Sequence, residues 1–158
     1  MLTIRAGQVA DLGTLISMWK QLDDHVINET KNNYLRQRDD SYISEIKNTL
    51  GELLDGRNTI ILVAERDGDI IGFITAHIET LPWFKPSTGL LGSCWVNEKE
   101  RDCGVGRQLV NHAESWLKKR KVINIQVCWD SGNKVANGFW TKNGYSISQF
   151  RGVKNCEY

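Results

Sequence analysis

Arg101-Asp102-Cys103-Gly104-Val105-Gly106-Arg107 is the stretch whose residue types and spacing point most directly to chemistry. An apolar run ends before it at Trp95-Val96, and a polar link, Asn97-Glu98-Lys99-Glu100, joins the two. A run with Val105, Leu109, Val110, Ala113, Trp116 and Leu117 at helical spacing follows at once. A glycine loop between strand and helix gathers backbone N–H groups at the positive end of the helix, a cradle that attracts phosphate. Glycines let the backbone approach a diphosphate with no Cβ in between. Arg101 and Arg107 can add charge-assisted contacts.

Two phosphate devices are excluded by spacing. A P-loop needs Gly-Lys followed by Ser or Thr, whereas Gly106 is followed by Arg107-Gln108. A dinucleotide fingerprint needs a third glycine, and that position is Leu109. What remains is Arg-x-x-Gly-x-Gly after a strand.

The elements that must position this loop are legible in outline. Leu2 to Arg5 alternates as a short strand, and Val9, Leu12, Leu15, Ile16, Trp19 and Leu22 mark a first helix. Residues 25–38 are polar and read as a loop or broken helix. Tyr42, Ile43, Ile46, Leu50, Leu53 and Leu54 share one face of a second helix. Thr59-Ile60-Ile61-Leu62-Val63-Ala64, Asp67-Gly68 and Ile70-Ile71-Gly72-Phe73-Ile74 spell a β-hairpin. Its return strand reaches about Glu79, and Pro82 and Pro86 put Trp83 and Phe84 in a loop. Strands are expected over residues 90–96 and 123–129, a short helix over 133–142 and a last strand over 145–153. The order is β-α-α-β-β-β-α-β-α-β. It predicts an α/β fold: a mixed, mostly antiparallel sheet of about six strands with helices on both faces, in one domain spanning residues 1–158.

A second segment partners the glycine loop. Asn133-Lys134-Val135-Ala136-Asn137-Gly138-Phe139-Trp140-Thr141-Lys142-Asn143-Gly144-Tyr145 fits N-x-x-A-x-x-F-[YW]-x-x-x-G-[FY]. With both segments in this order, and with the hairpin and helix order, the chain resembles the GCN5-related N-acetyltransferase (GNAT) superfamily. The resemblance spans nearly the whole chain in element order and is strongest over residues 95–145.

The resemblance implies an acetyl-CoA-dependent N-acetyltransferase that acts on a primary amine by direct attack in a ternary complex, with acetyl-CoA as co-substrate and no metal. In that family the strand before the loop splays from the next at a bulge, and the pantetheine arm lies in the gap. Cys94, Trp95 and Val96 would then line the arm, and the Val96 N–H would hold the oxyanion. Asp102, Cys103, Gly104, Val105, Gly106 and Arg107 would hold the pyrophosphate, with Arg101 alongside. Asn133 would reach the cofactor arm, serve as a plain helix N-cap, or both. Many relatives carry a Tyr where this chain has Trp140, and that Tyr protonates the leaving thiolate. Indole cannot act as an acid, so Trp140 reads as an apolar wall against the cofactor. A thiolate, with a reference pKa of about 8.5, is a fair leaving group without help.

The general base is open among Glu79, Asp130 and Cys128, the last standing where N-terminal acetyltransferases carry a Glu. Each carboxylate is equally readable as a solvated strand end, and the cysteine as a buried filler. Cys103 sits inside the phosphate loop, where alkylation could block cofactor binding. Substrate selection in this family falls to the segments here at 23–40 and 80–87. Asp24, Glu29 and Glu79 would suit a cationic amine, and Trp83 and Phe84 could close as an aromatic lid. His25 reads as a surface or packing residue.

The bulk numbers bound the rest. The 158 residues carry 20 Lys+Arg against 19 Asp+Glu, a balance that argues against a nucleic-acid binder. The run Lys118-Lys119-Arg120-Lys121 reads as cations on the last turn of a helix. No apolar run approaches a membrane span, and Met1 to Arg5 does not open a signal peptide. Cys94, Cys103, Cys128 and Cys156 lack C-x-x-C spacing, so neither zinc nor a disulfide framework is expected. The expected setting is the cytoplasm. The expected partner is a small-molecule or peptide amine, with no nucleic acid and no membrane; a homodimer is compatible with this reading. The alternative from another class is a catalytically weak acyl-CoA-binding sensor or interaction module of the same fold.

Overall fold

The computed structural model describes residues 1–30, 38–81 and 84–151. β1 (Leu2–Ala6) is followed by a 3-10 turn at Val9–Asp11, then by α1 (Leu12–Thr30) and α2 (Tyr42–Asp55). β2 (Thr59–Arg66), β3 (Asp69–Leu81) and β4 (Phe84–Val96) form a meander. A 3-10 turn at Glu98–Glu100 leads into α3 (Val105–Lys119), β5 (Ile125–Val127) and α4 (Lys134–Lys142). The sheet order is β1-β2-β3-β4-β5. The first four strands pair antiparallel and β5 joins β4 in parallel. No helix among the described residues is long and apolar enough to cross a membrane.

The β2–β3 hairpin forms because Asp67-Gly68 adopts positive φ at both positions, 53° and 92°, the twist-compatible geometry of a two-residue turn. β2 is apolar on both faces, and its side chains divide accordingly. Ile61 and Val63 join Leu15, Met18, Ile46, Leu50, Phe73 and Trp95 in a core beneath α1 and α2. Leu62 and Ala64 join Ile74, Leu91, Leu109, Val110, Ala113, Leu117 and Trp140 in a core beneath α3 and α4. The helices therefore lie on both faces of the sheet, as their order implies.

Four expectations are corrected. The sheet has five strands among the described residues rather than six. Residues 145–151 take no strand conformation. Their alternation is strand-like, but Ile147 and Phe150 stand exposed, and β5 is only three residues long, which leaves little edge to pair with. The last strand is also shorter than residues 123–129. α1 runs on to Thr30, because Leu22 is continued at helical spacing by the half-buried Val26 and Ile27 with no Gly or Pro to stop it. Finally, β3 and β4 extend almost to each other, with Leu81 opposite Phe84. Pro86 is tolerated because it falls in an irregularity of the ladder between the Glu79–Thr88 and Leu81–Phe84 pairs.

Candidate active site

The site grows from a defect in β4. Ala76 faces Leu91, yet Ile74 faces Cys94, so β4 carries one extra residue at Gly92-Ser93. β5 pairs with Gly89, Leu90 and Leu91 and goes no further. Beyond the bulge the C-terminal half of β4 is bonded on one side only. Asn97 N–H donates to Ile71 O at 2.9 Å, and Trp95 faces Phe73. Alternation along an antiparallel ladder gives Trp95 and Asn97 to β3 and turns the N–H groups of Cys94 and Val96 toward the open side.

Side chains alternate likewise. Cys94 and Val96 face α3 and α4, and Trp95 faces α1. Trp95 therefore turns its side chain to α1 and its backbone polar groups to β3, and the gap is left to the backbone of Cys94 and Val96. Burial pushes the Cys94 thiol up to about 12, so it stays protonated and unreactive near neutral pH.

The glycine loop opens beside this strand end. Asp102 and Gly104 both have positive φ, 59° and 79°, which aims successive peptide groups inward. The first bond of α3 is Gln108 N–H to Gly104 O at 3.1 Å. The N–H groups of Val105, Gly106 and Arg107 precede it and have no partner within the helix. No side chain caps α3, and nothing lies within 4 Å of where a Gly104 Cβ would stand. The two glycines have different causes. A Cβ on Gly106 would meet Phe139 Cε2 at 2.9 Å, so Gly106 is small because α4 packs on it. Cys103 and Arg107 are exposed at the loop. Arg101 is directed elsewhere: its Nε donates to Val96 O at 3.0 Å, and its guanidinium carbon lies 4.5 Å from the Trp95 ring centre.

Past β5 the chain turns at Asp130, whose Oδ1 accepts from Gly132 N–H at 3.0 Å. Asn133 is buried and accepts from Ala136 N–H at 2.9 Å, a true N-cap of α4. Trp140 is buried, edge-on to Phe139 and Tyr145. Tyr145, the phenol beside it, donates to Glu114 at 2.9 Å; burial and that carboxylate raise its pKa well above the ordinary value. No acid emerges near Trp140 from this pair.

Several expected residues are not brought together. Glu79 faces Thr88, whereas Gly72 faces Val96. Eight residues of strand, roughly 25 Å, separate Glu79 from the gap. Phe84 and Val96 are opposite ends of β4, and Trp83 lies outside the described residues. Cys128 is exposed just past β5 rather than a buried filler. Glu29 is exposed on α1.

Sequence reasoning missed a groove on the α1 side. It measures about 1010 Å³, and Trp95, His25, Asn28, Asp24, Asp69 and Glu98 are among its lining residues. Gln21, Asp24, His25 and Asn28 fall at i, i+3, i+4 and i+7, a polar stripe that was visible once α1 was allowed to run past Leu22. The His25 ring meets Trp95 edge-on at 5.7 Å. A Cβ on Gly132 would stand 3.3 Å from Thr30 Cα. The last turn of α1 thus crosses from the end of β4 to the loop after β5, over the mouth of the gap. Tyr42 clasps α1 to α2 by donating to Asp23 at 2.6 Å, and Arg38, ahead of α2, donates to Asp24 at 2.6 Å.

Residues 19–145 match the model of the acetyltransferase (GNAT) family, and the chain belongs to that family of acyltransferases. Solved structures share its fold. A transcriptional regulator from Bacillus halodurans C-125 is 23% identical with a TM-score of 0.75, over 99% of this chain and 100% of that one. AAC(6')-Iy, in complex with the bisubstrate analogue CoA-S-monomethyl-acetylneamine, is 17% identical with a TM-score of 0.75, over 100% and 99%. A predicted acetyltransferase from Clostridium acetobutylicum with acetyl-CoA is 16% identical with a TM-score of 0.79, over 98% and 96%. No curated protein matches the chain in sequence.

Proposed function

We propose that this protein transfers an acetyl group from acetyl-CoA to a primary amine by direct attack in a ternary complex. The observation that carries the reading is the bulge at Gly92-Ser93, which frees the Val96 N–H beside the open N-terminus of α3. The N–H groups of Val105, Gly106 and Arg107 hold the pyrophosphate, and the open space above Gly104 lets it approach. The backbone of Cys94 and Val96 receives the arm between β4 and β5.

The acceptor enters from the opposite face, along the groove under α1. Asp69 and Glu98 there favour a cationic amine, while Asp24 is already paired with Arg38. The acceptor ammonium first gives up one proton to solvent; the lone pair so exposed adds to the thioester carbon, and the Val96 N–H takes the charge that develops on oxygen. The C–S bond then breaks, and coenzyme A leaves as thiolate without an acid, while Trp140 walls the site. The ammonium proton passes through water to His25, the imidazole packed on the neighbouring Trp95.

The test is calorimetry with acetyl-CoA followed by thiol release across a panel of amines, including sisomicin, spermidine, free amino acids and a lysine peptide. Saturable binding with turnover on at least one amine is expected. The missing Tyr at Trp140 favours the sensor reading as the rival, and tight acetyl-CoA binding without turnover on any amine would establish it.

A further inference from the structure

Arg101 opens the glycine loop, yet its side chain leaves it. Nε donates to the Val96 carbonyl at 3.0 Å, and the guanidinium carbon sits over Trp95, 4.5 Å from the ring centre. On the ring's edge stands His25 at 5.7 Å. Arg101 therefore ties together the phosphate loop, the end of β4 and the last turns of α1.

The strand end needs such a tie. Val96 is the last residue of β4, and past Leu91 no β5 residue bonds to it. The N–H and C=O of a strand residue point to the same side, so the Val96 carbonyl also faces the open gap. Arg101 satisfies that carbonyl and so fixes the direction of the N–H beside it. A planar guanidinium makes this bond and the stack at once, which a lysine ammonium cannot do.

We propose that Arg101 is a positioning residue: it aims the Val96 N–H at the thioester carbonyl and does not bind the pyrophosphate. The proposal rests on the reading of Val96 above. An oxyanion donor displaced by about 1 Å loses on the order of 10²-fold in rate, so the effect falls on kcat and leaves cofactor affinity alone.

The experiment uses Arg101→Met and Arg101→Lys. Calorimetry gives the affinity for CoA, thiol release gives kcat, and backbone-amide NMR gives the Val96 shift that separates acetyl-CoA from CoA. Both variants should bind CoA within about twofold of wild type, lose the acetyl-dependent Val96 shift and drop kcat at least about tenfold. Lysine still binds phosphate as a point charge. A tenfold loss of CoA affinity in Arg101→Met that Arg101→Lys restores would overturn the proposal, as would a retained Val96 shift with wild-type kcat. If Arg101→Met does not fold, Arg101→Lys alone decides: an unchanged kcat with the Val96 shift intact overturns the proposal. Failure of the wild type to show an acetyl-dependent Val96 shift sinks the Val96 reading itself, and is thereby distinguishable.

Discussion

Gly106 and Phe139 interlock: a Cβ on Gly106 would stand 2.9 Å from Phe139 Cε2 and 3.2 Å from Cζ. The second glycine of the loop is therefore a contact between α3 and α4, and it locks the phosphate loop to the helix that carries Trp140. Gly104, two residues earlier, has open space around it and a φ of 79°.

The two glycines should respond differently. Gly106→Ala overpacks a helix contact and should cost roughly 1–3 kcal/mol of stability. Gly104→Glu should leave most of the fold intact, at a left-handed penalty of about 1–2 kcal/mol, and abolish acetyl-CoA binding by placing a carboxylate in the cradle. Urea melts and calorimetry on both variants check this. Retained affinity in Gly104→Glu would count against the cradle.

This division was only partly legible in the sequence. The loop, the start of α3 and the Asp67-Gly68 turn were readable because local chemistry decides them: glycine φ, helical periodicity, turn residues. The family resemblance implied a bulge in β4, but its position was not readable, because Leu90-Leu91-Gly92-Ser93-Cys94 holds no mark of which residue goes unpaired until β3 supplies the partner. Glu79 looked close to the chemistry because distance along a hairpin cannot be judged before its register is known. Arg101 looked like a phosphate ligand because a motif names residue types and not where a long side chain turns. His25 was read as a surface or packing residue, and it does pack edge-on against Trp95; its place in the groove shows only once α1 runs past Leu22.

His25 should behave as the proton acceptor. His25→Gln should lower kcat/KM by about 10²-fold or more near neutral pH, with acetyl-CoA affinity unchanged. An unaltered kcat/KM in the variant would remove His25 from the mechanism.

Trp140 is a core residue, and under the proposed function it also walls the cofactor site. Trp140→Phe should change kcat by less than about tenfold, since no proton passes through it. Trp140→Ala should cost roughly 3–5 kcal/mol, as for a buried aromatic. A thousandfold fall in kcat for Trp140→Phe with normal stability would give it a chemical role.

Asp11 ties β1 to the entrance of α1. It accepts two bonds from Arg5, at 2.7 and 3.1 Å, and one from Gln8 N–H at 2.8 Å. The Arg5 guanidinium holds its carboxyl below the ordinary value. A depressed folded pKa contributes stability that is present above the unfolded value of about 3.9 and lost as pH falls through the folded one. Asp11→Asn should therefore cost roughly 1.5–3 kcal/mol at pH 7 and blunt the acid-side loss of stability. Chemical melts from pH 7 to pH 2 give the comparison; parallel curves for variant and wild type would contradict the assignment.

The central claim is that acetyl-CoA lies between α3's N-terminus and the freed end of β4. Titration of the uniformly ¹⁵N-labelled protein with acetyl-CoA, followed by backbone-amide NMR, tests it most directly. The amides of Val105, Gly106, Arg107 and Val96 should shift saturably and together. Saturable binding that leaves these four amides unmoved would contradict the account.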